Sequence, residues 1–327
     1  MTKGYGIFSG GLDSLLSTLV LQDQGIEVVL LTFTTPFFGA ERARVSGCSI
    51  GLVPRVLDLT EPHLEMMKKP KHGFGRFMNP CIDCHALMFK TAGGIMRAEG
   101  GDFLFSGEVL GQRPKSQNRR ALDIVARESG WPGFILRPLS ALALPPTAME
   151  QSGLVDRTRL KGFYGRTRKP QMALASQYGL KDYPSPAGGC LLTDPVFSRR
   201  LAELREHVSA PTGPDLELLK VGRHFRLPGG GKVVVGRNQA ENEVIETLGR
   251  PQDLVLKVAG IPGPTVILCG GSERTSSEDV ELAAAMTASY SDAAGDRSCP
   301  VRLLGGSRER LLETPVRPKS EFAGLMI

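Results

Sequence analysis

Two stretches and one further residue carry the side chains best suited to chemistry. They are Ser9-Gly10-Gly11-Leu12-Asp13-Ser14, Cys81-Ile82-Asp83-Cys84-His85, and Cys190. A glycine pair lets the backbone turn tightly and brings bare N–H groups up to a guest. Where such a turn opens a helix, the unpaired N–H groups and the positive end of the helix dipole favour an anion. Asp13 beside that anion makes sense if Mg²⁺ sits between its carboxylate and phosphates. Taken alone, the hexapeptide also reads as a Ser/Asp cap on a glycine turn. Cys-x-x-Cys brings two thiols to one centre, as metal ligands or as a redox pair. Cys190 ends the turn-rich Tyr183-Pro184-Ser185-Pro186-Ala187-Gly188-Gly189-Cys190. A structural cysteine more usually sits in an apolar strand or helix, so this thiol reads as functional. Cys81-x-x-Cys84-His85 also fits the c-type haem attachment pattern, but that chemistry needs export, and residues 1–8 do not read as a signal peptide.

These residues need elements to hold them. Residues 5–8 read as a buried strand and 15–21 as a helix with little exposed face, with the glycine turn between them. Residues 27–33, 55–59 and 103–105 read as further strands. Strand, helix, strand at this spacing is a βαβ unit, so the fold class expected is α/β, a doubly wound parallel sheet followed by a smaller α+β domain. Ligands of such sheets bind at the carboxyl ends of strands, where residues 9–14 and the loop 106–117 fall. Residues 66–80, rich in Lys, Gly and Pro, read as a mobile loop ahead of a helix from 86 to 97. Past residue 198 a charged helix (199–207) leads to a linker (210–214). Then come strand-like runs at 222–227, 232–238 and 254–258, a helix at 241–248, and one further strand with turns at 262–271. Residues 289–300 read as mobile, and the tail after 301 carries no interpretable motif. The expected organisation is a nucleotide domain over 1–150, a basic segment with the third cysteine over 151–200, and an RNA-binding domain over 210–327.

The 327 residues suit two or three packed units. No apolar run is long enough to span a bilayer, so no membrane partner is expected; the expected location is cytoplasmic, with reduced thiols. Cys48, Cys269 and Cys299 lack a partner at ligand spacing and are expected as small buried residues. The net charge of +6 is uneven, because residues 1–200 carry 25 Lys/Arg against 17 Asp/Glu. Within it Arg157, Arg159, Lys161, Arg166, Arg168 and Lys169 follow one another with no acid between and with Phe163 and Tyr164 interleaved. Cations contact phosphates and rings stack on unpaired bases, which favours RNA contact over a solvated loop.

Ser9, Gly10, Gly11, Asp13 and Ser14 resemble the PP-loop, SGGxDS, of the ATP-pyrophosphatase superfamily; the Walker pattern is absent. That resemblance implies cleavage of ATP between the α and β phosphates and adenylylation of a substrate oxygen. Gly107-Glu108-Val109-Leu110-Gly111-Gln112 with Ser116-Gln117 resembles GEALGQxxSQ of the tRNA 4-thiouridine synthases, with one residue more between Gln112 and Ser116. Ile135-Leu136-Arg137-Pro138-Leu139 is similar to the same family's ILRPL segment, and Arg137 reads equally as a cation near phosphates or as a surface residue. Asn79-Pro80-Cys81 and Gly188-Gly189-Cys190 resemble segments of the tRNA 2-thiouridylases. The trio Cys81, Cys84 and Cys190 resembles the three-cysteine iron–sulfur tRNA sulfurtransferases. Phe33 and Gly107, at the ends of the second and fourth strands, join the nucleotide-site set. Val235-Gly236-Arg237-Asn238-Gln239-Ala240-Glu241-Asn242 resembles the VGRNxxxN signature of NFACT-R domains, with Arg237 as an RNA contact.

These resemblances imply an ATP-dependent tRNA sulfurtransferase that adenylylates a uridine carbonyl and replaces oxygen by sulfur, 2-thiouridine being favoured over 4-thiouridine. ATP, Mg²⁺, tRNA and a sulfur donor (sulfide or a persulfide-carrying protein) are the expected company, with Asp13 and the three cysteines as catalytic residues. Cys81, Cys84 and Cys190 could ligate a 4Fe–4S cluster. Cys190 could instead carry a persulfide that Cys81 or Cys84 resolves. Zinc with His85 as fourth ligand is a third arrangement. An amide-forming PP-loop ligase would also use the loop but has no use for the three thiols, and an RNA-binding protein that only senses nucleotide would have less need of the intact Asp13 and Ser14.

Overall fold

The computed structural model describes residues 1–183, 189–270, 275–293, 297–305 and 308–327. Its contacts divide the chain into two units, Met1–Asp194 and Pro195–Ile327. The stretch 151–194 therefore belongs to the first unit.

The strands of the first unit are β1 (Lys3–Ile7), β2 (Glu27–Thr34), β3 (Arg55–Asp58), β4 (Phe103–Ser106) and β5 (Ile135–Leu136). Its helices are α1 (Leu12–Gln22), α2 (Glu41–Ser49), α3 (Thr60–Lys68), α4 (Cys81–Ala98), α5 (Arg119–Glu128), α6 (Ala148–Gln151) and α7 (Lys169–Gln177). All neighbouring strands pair in parallel, in the order β3-β2-β1-β4-β5. The central strand is small where its neighbour is large: a Cβ at Gly6 would lie 2.3 Å from the Phe105 ring. One face of the sheet packs Leu12, Leu15 and Leu16 of α1 and Leu174 of α7 against Phe103 and Phe105. The other packs Phe89 and Met96 of α4 and Val125 of α5 against Tyr5, Leu31 and Leu104. Helices on both faces make the doubly wound α/β architecture. Each fully buried Leu or Phe contributes about 1.5–3 kcal/mol.

Two local expectations need correction. Residues 66–68, assigned to a mobile loop, close α3, with Met67 buried. The following helix starts at Cys81, five residues before the point read from the apolar pattern, because Pro80 serves as its N-cap and Asp83 anchors its first turn. Both Asp83 oxygens accept from backbone N–H groups of the preceding loop, Lys71 and His72, at 3.0 Å.

The second unit holds α8 (Pro195–His207), α9 (Gly213–Leu218), β6 (Arg223–Arg226), β7 (Lys232–Val235), α10 (Gln239–Leu248), β8 (Leu254–Val258), β9 (Val266–Cys269), α11 (Ser277–Ser289), β10 (Ser298–Gly305) and β11 (Arg308–Pro315). Its sheet is antiparallel throughout, ordered β11-β10-β8-β9-β7-β6. Alternate residues of β7 serve opposite faces: Val233 and Val235 meet α11, and Val234 meets Leu218 of α9 and Ile245 of α10. Residues 213 and 214, expected in a linker, open α9 behind a Thr212–Asp215 capping box. Of the tail that carries no interpretable motif, 301–305 and 308–315 lie in the β10–β11 hairpin. Of residues 289–300, expected as mobile, 289 closes α11, 298–300 open β10, and 294–296 lie outside the described residues. Cys48 is exposed on α2, contrary to expectation, whereas Cys299 is buried. No helix among the described residues is long and apolar enough to cross a membrane.

Candidate active site

The glycine turn lies where the pattern of strand and helix requires, between β1 and α1. Gly10 has φ +71°, and a Cβ there would lie 2.5 Å from the Arg42 carbonyl oxygen, so only glycine serves. Gly11 is the N-cap of α1 and no side chain caps the helix there. The first-turn N–H groups are thus available to an anion. Ser14 donates its hydroxyl to the Gly11 carbonyl at 2.8 Å, and Ser9 stands exposed at the rim. Asp13 Oδ2 accepts from Gln112 at 3.0 Å, while Oδ1 is buried with no hydrogen-bond partner among the described residues. Burial raises the Asp13 pKa, outweighing Gln112 and the charges of Arg168 and Arg113. Gly107 packs onto this turn: a Cβ there would lie 2.5 Å from the Asp13 carbonyl carbon and the Ser14 nitrogen. Phe33 departs from its assigned place. It is 4% exposed and its side chain belongs to the core with Leu59 and Phe89.

The cysteines come from two directions. Cys81 opens α4 and accepts a hydrogen bond from the Asn79 amide at 3.1 Å; Cys84 lies one turn on, 8% exposed. Residues 184–188 of the Cys190 segment lie outside the described residues, but Gly189 and Cys190 are placed. Leu191 donates to the Phe37 carbonyl at 2.9 Å, and the position of a Gly189 Cβ is 3.7 Å from the Arg42 guanidinium. Arg42 therefore lies against both the glycine turn, through its backbone at Gly10, and the Cys190 segment, through its guanidinium at Gly189. Burial raises the Cys84 thiol well above its ordinary range, and the charges of Cys190 and Cys81 add to the shift. Burial also pushes Cys190 up to about 11, with Cys81 adding to it and Arg113 opposing it. The three thiols are thus near enough to sense one another, and all are free. They do not form a metal cage: among the described residues no three His, Cys, Asp or Glu side chains are grouped to hold a metal ion.

His85, the candidate fourth zinc ligand, has another partner. Its Nδ1 lies 2.9 Å from Glu108 Oε1, and Glu108 Oε2 accepts from Arg137 Nε at 3.0 Å. Burial works against the Glu108 charge, but Arg137 and His85 prevail and hold its pKa at about 2. Arg137 is not a surface residue: it is the buried counter-ion of Glu108, with one guanidinium nitrogen, Nη2, buried without a hydrogen-bond partner among the described residues.

The basic segment divides by use. Arg157 pairs with Glu150 and donates to the Leu144 carbonyl at 2.8 Å, and Arg159 donates to the Asp23 carbonyl at the end of α1. Arg166, Lys169 and Tyr164 are exposed, and Lys161 is half-buried. Arg168 has a buried Nε with no hydrogen-bond partner among the described residues, and its charge favours the ionised Asp13. Gln171, 0% exposed, acts on the Asp13 carboxyl and helps to hold its charge, although its amide makes no well-formed hydrogen bond among the described residues. Sequence reading missed Gln171, and also His63, a fully buried ring between Phe37 and Phe38 whose burial lowers its pKa to about 4. A single Gln or His carries no pattern by which to find it. Arg113, also missed, was signalled by the extra residue in its loop.

In the second unit the signature residues bind one another. Arg237 pairs with Glu241, Asn238 caps α10 by accepting from the Glu241 N–H at 3.0 Å, and Asn242 accepts from the Thr265 N–H at 2.9 Å.

Residues 222–321 match the family model described as the NFACT protein RNA binding domain, which contains the signature. No curated protein matches the chain. Among solved structures, similarity is found to a predicted subunit of tRNA methyltransferase from Methanocaldococcus jannaschii. It is 16% identical over 54% of this chain and 76% of that one, with a TM-score of 0.34. A 4-thiouridine synthetase in complex with RNA and ATP is 18% identical over 67% of this chain and 52% of that one, with a TM-score of 0.37. The C-terminal part of a fibronectin/fibrinogen-binding protein from Streptococcus suis is 15% identical over 57% of this chain and 87% of that one, with a TM-score of 0.29.

Proposed function

We propose that the chain is a cytoplasmic, ATP-dependent tRNA sulfurtransferase that adenylylates a uridine carbonyl oxygen and replaces it by sulfur, with 2-thiouridine favoured over 4-thiouridine. The observation that carries this reading is the approach of the glycine turn and of the Cys190 segment, with its free thiol, to the same residue, Arg42. The RNA-binding name of the family matched by residues 222–321 supports tRNA as the partner. Exposed Arg166, Lys169 and Tyr164 supply further phosphate and base contacts, with Lys161, Arg159 and Arg157 at the margin and Arg237 on the second unit.

The turn 9–14 receives the phosphates of ATP, and Ser9, Gly10, Gly11 and Ser14 shape it. The residues fit Mg²⁺ at Asp13, whose buried Oδ1 lacks a partner; when bound, the ion offsets charge on the departing pyrophosphate. Cys81, Cys84 and Cys190 are the residues that would hold a 4Fe–4S cluster, which would present a sulfide to the activated carbon; the same thiols carry the reaction by themselves through the following route. The uridine carbonyl oxygen attacks the α-phosphorus, the bond to pyrophosphate breaks, and N3 gives its proton to solvent. A persulfide on Cys190, loaded by a persulfide-carrying donor, attacks the activated carbon with its terminal sulfur; the C–O bond breaks and AMP leaves. Cys81, less buried than Cys84, attacks Cys190 Sγ. The bond to the transferred sulfur breaks, N3 regains a proton, and a thiol reductant reopens the Cys81–Cys190 disulfide.

Purified protein given tRNA, ATP and a persulfide donor should form AMP and a thionucleoside. Cys190→Ala should still release pyrophosphate and adenylylate the tRNA but form no thionucleoside. Thiolation undiminished in that variant would refute the reading.

A further inference from the structure

Residues 111–117 form a loop closed on itself, with Gly111 donating to the Gln117 carbonyl at 2.7 Å and Gln117 donating to the Arg113 carbonyl at 2.9 Å. It is fastened on two sides. Gln112 holds Asp13 Oδ2 at 3.0 Å, and Lys115 donates to the Phe74 carbonyl in the stretch that leads to Cys81. Arg113 stands between these anchors. It is exposed, and its side chain has no hydrogen bond or ion pair among the described residues. The two anchors hold the loop between the glycine turn and the stretch ahead of Cys81, and the Arg113 charge, which lowers the pKa of both Asp13 and Cys190, agrees with that placement. A planar fork of donors in that position suits a phosphate, which accepts two parallel hydrogen bonds.

We propose that Arg113 binds the phosphate of a nucleoside 5′-monophosphate on the thiol side of the nucleotide turn. This rests on the function proposed above, in which an adenylyl group remains beside Cys190 after pyrophosphate has left. The loop carries one residue more between Gln112 and Ser116 than the pattern it resembles, and Arg113 stands in that lengthened stretch.

The test is calorimetric titration of the full chain with AMP, adenosine and inorganic pyrophosphate, for the wild type, Arg113→Ala and Arg113→Lys. Arg113→Ala should weaken AMP binding about tenfold, the loss of a charge-assisted contact, and leave adenosine and pyrophosphate unchanged. Arg113→Lys should restore part of the loss. Because Arg113 is exposed and unpaired, neither variant should disturb folding. Equal AMP affinity in the wild type and Arg113→Ala, or a parallel loss for adenosine, would overturn the assignment. Thiouridine formation with AMP binding indifferent to Arg113 would overturn the assignment alone. AMP binding through Arg113 with no thionucleoside formed would uphold it and overturn the function.

Discussion

The two units treat their polar signatures in opposite ways. Around the glycine turn of the first, Asp13 Oδ1 and Arg168 Nε are buried without a hydrogen-bond partner among the described residues, and the buried Gln171 amide, which helps to hold the Asp13 charge, makes no well-formed hydrogen bond there. In the second, Arg237, Asn238, Glu241 and Asn242 satisfy one another and the neighbouring backbone, with Glu241 also accepting from the Gly222 N–H at 3.2 Å. A buried polar atom without a partner costs about 1–3 kcal/mol. Several in one place are tolerated where a ligand completes them. On the proposed function the first signature is the site, and the second is a frame that leaves RNA contact to the outward parts of its side chains.

The comparison can be tested from its largest effect to its smallest. Glu108→Ala leaves Arg137 as an unpaired buried charge and should destabilise the first unit by about 3–5 kcal/mol in urea unfolding. The sign of the pH dependence follows from the depressed Glu108 pKa. Its contribution is full above the unfolded value of 4.5 and is lost as pH falls towards about 2, so wild type and variant should converge there. A constant difference across that range would contradict the ion pair. Asp13→Asn should reduce AMP formation by about 10²–10³-fold, as loss of an electrostatic group at a reacting phosphate does. It should not lower stability, because burial makes the Asp13 charge a burden on the folded state. Marked destabilisation would place Asp13 in the frame instead. Asn242→Ala leaves the Thr265 N–H unpaired and should cost the second unit about 1–3 kcal/mol, with nucleotide binding intact. Arg237→Ala removes a half-exposed ion pair and should cost less than about 1 kcal/mol. Its expected mark is on tRNA binding, where the salt dependence should fall by about one phosphate contact.

Much of the site was legible because its residues sit at punctuation. Gly10 and Gly11 between an apolar strand and an apolar helix leave one arrangement, and the loop 106–117 follows a strand by the same logic. The helix over 277–289 was missed because α11 is alanine-rich and buried on most sides, so its sequence shows no polar face. The hairpin β10–β11 was missed because its strands mix charges with leucines and lack clean alternation. Arg168 could be read as basic but not as a charge that favours the ionised Asp13, since that depends on how α7 packs on α1. Phe33 shows the reverse error: a strand end is a good place for a ligand contact, yet this side chain points into the core. The Glu108–Arg137 pair joins residues far apart in sequence, and only the parallel pairing of β4 with β5 brings them together.

The central claim is that the nucleotide turn and the thiols serve one reaction on tRNA. The most direct measurement is mass spectrometry of nucleosides from bulk tRNA of the source organism. It compares the wild type, a strain lacking this protein, and that strain carrying the Cys190→Ala chain. A thiouridine, expected as a 2-thiouridine derivative, should vanish in the deletion strain and stay absent with Cys190→Ala. Its return with the wild-type chain alone completes the expected result. Thionucleosides unchanged in all three strains would contradict the account.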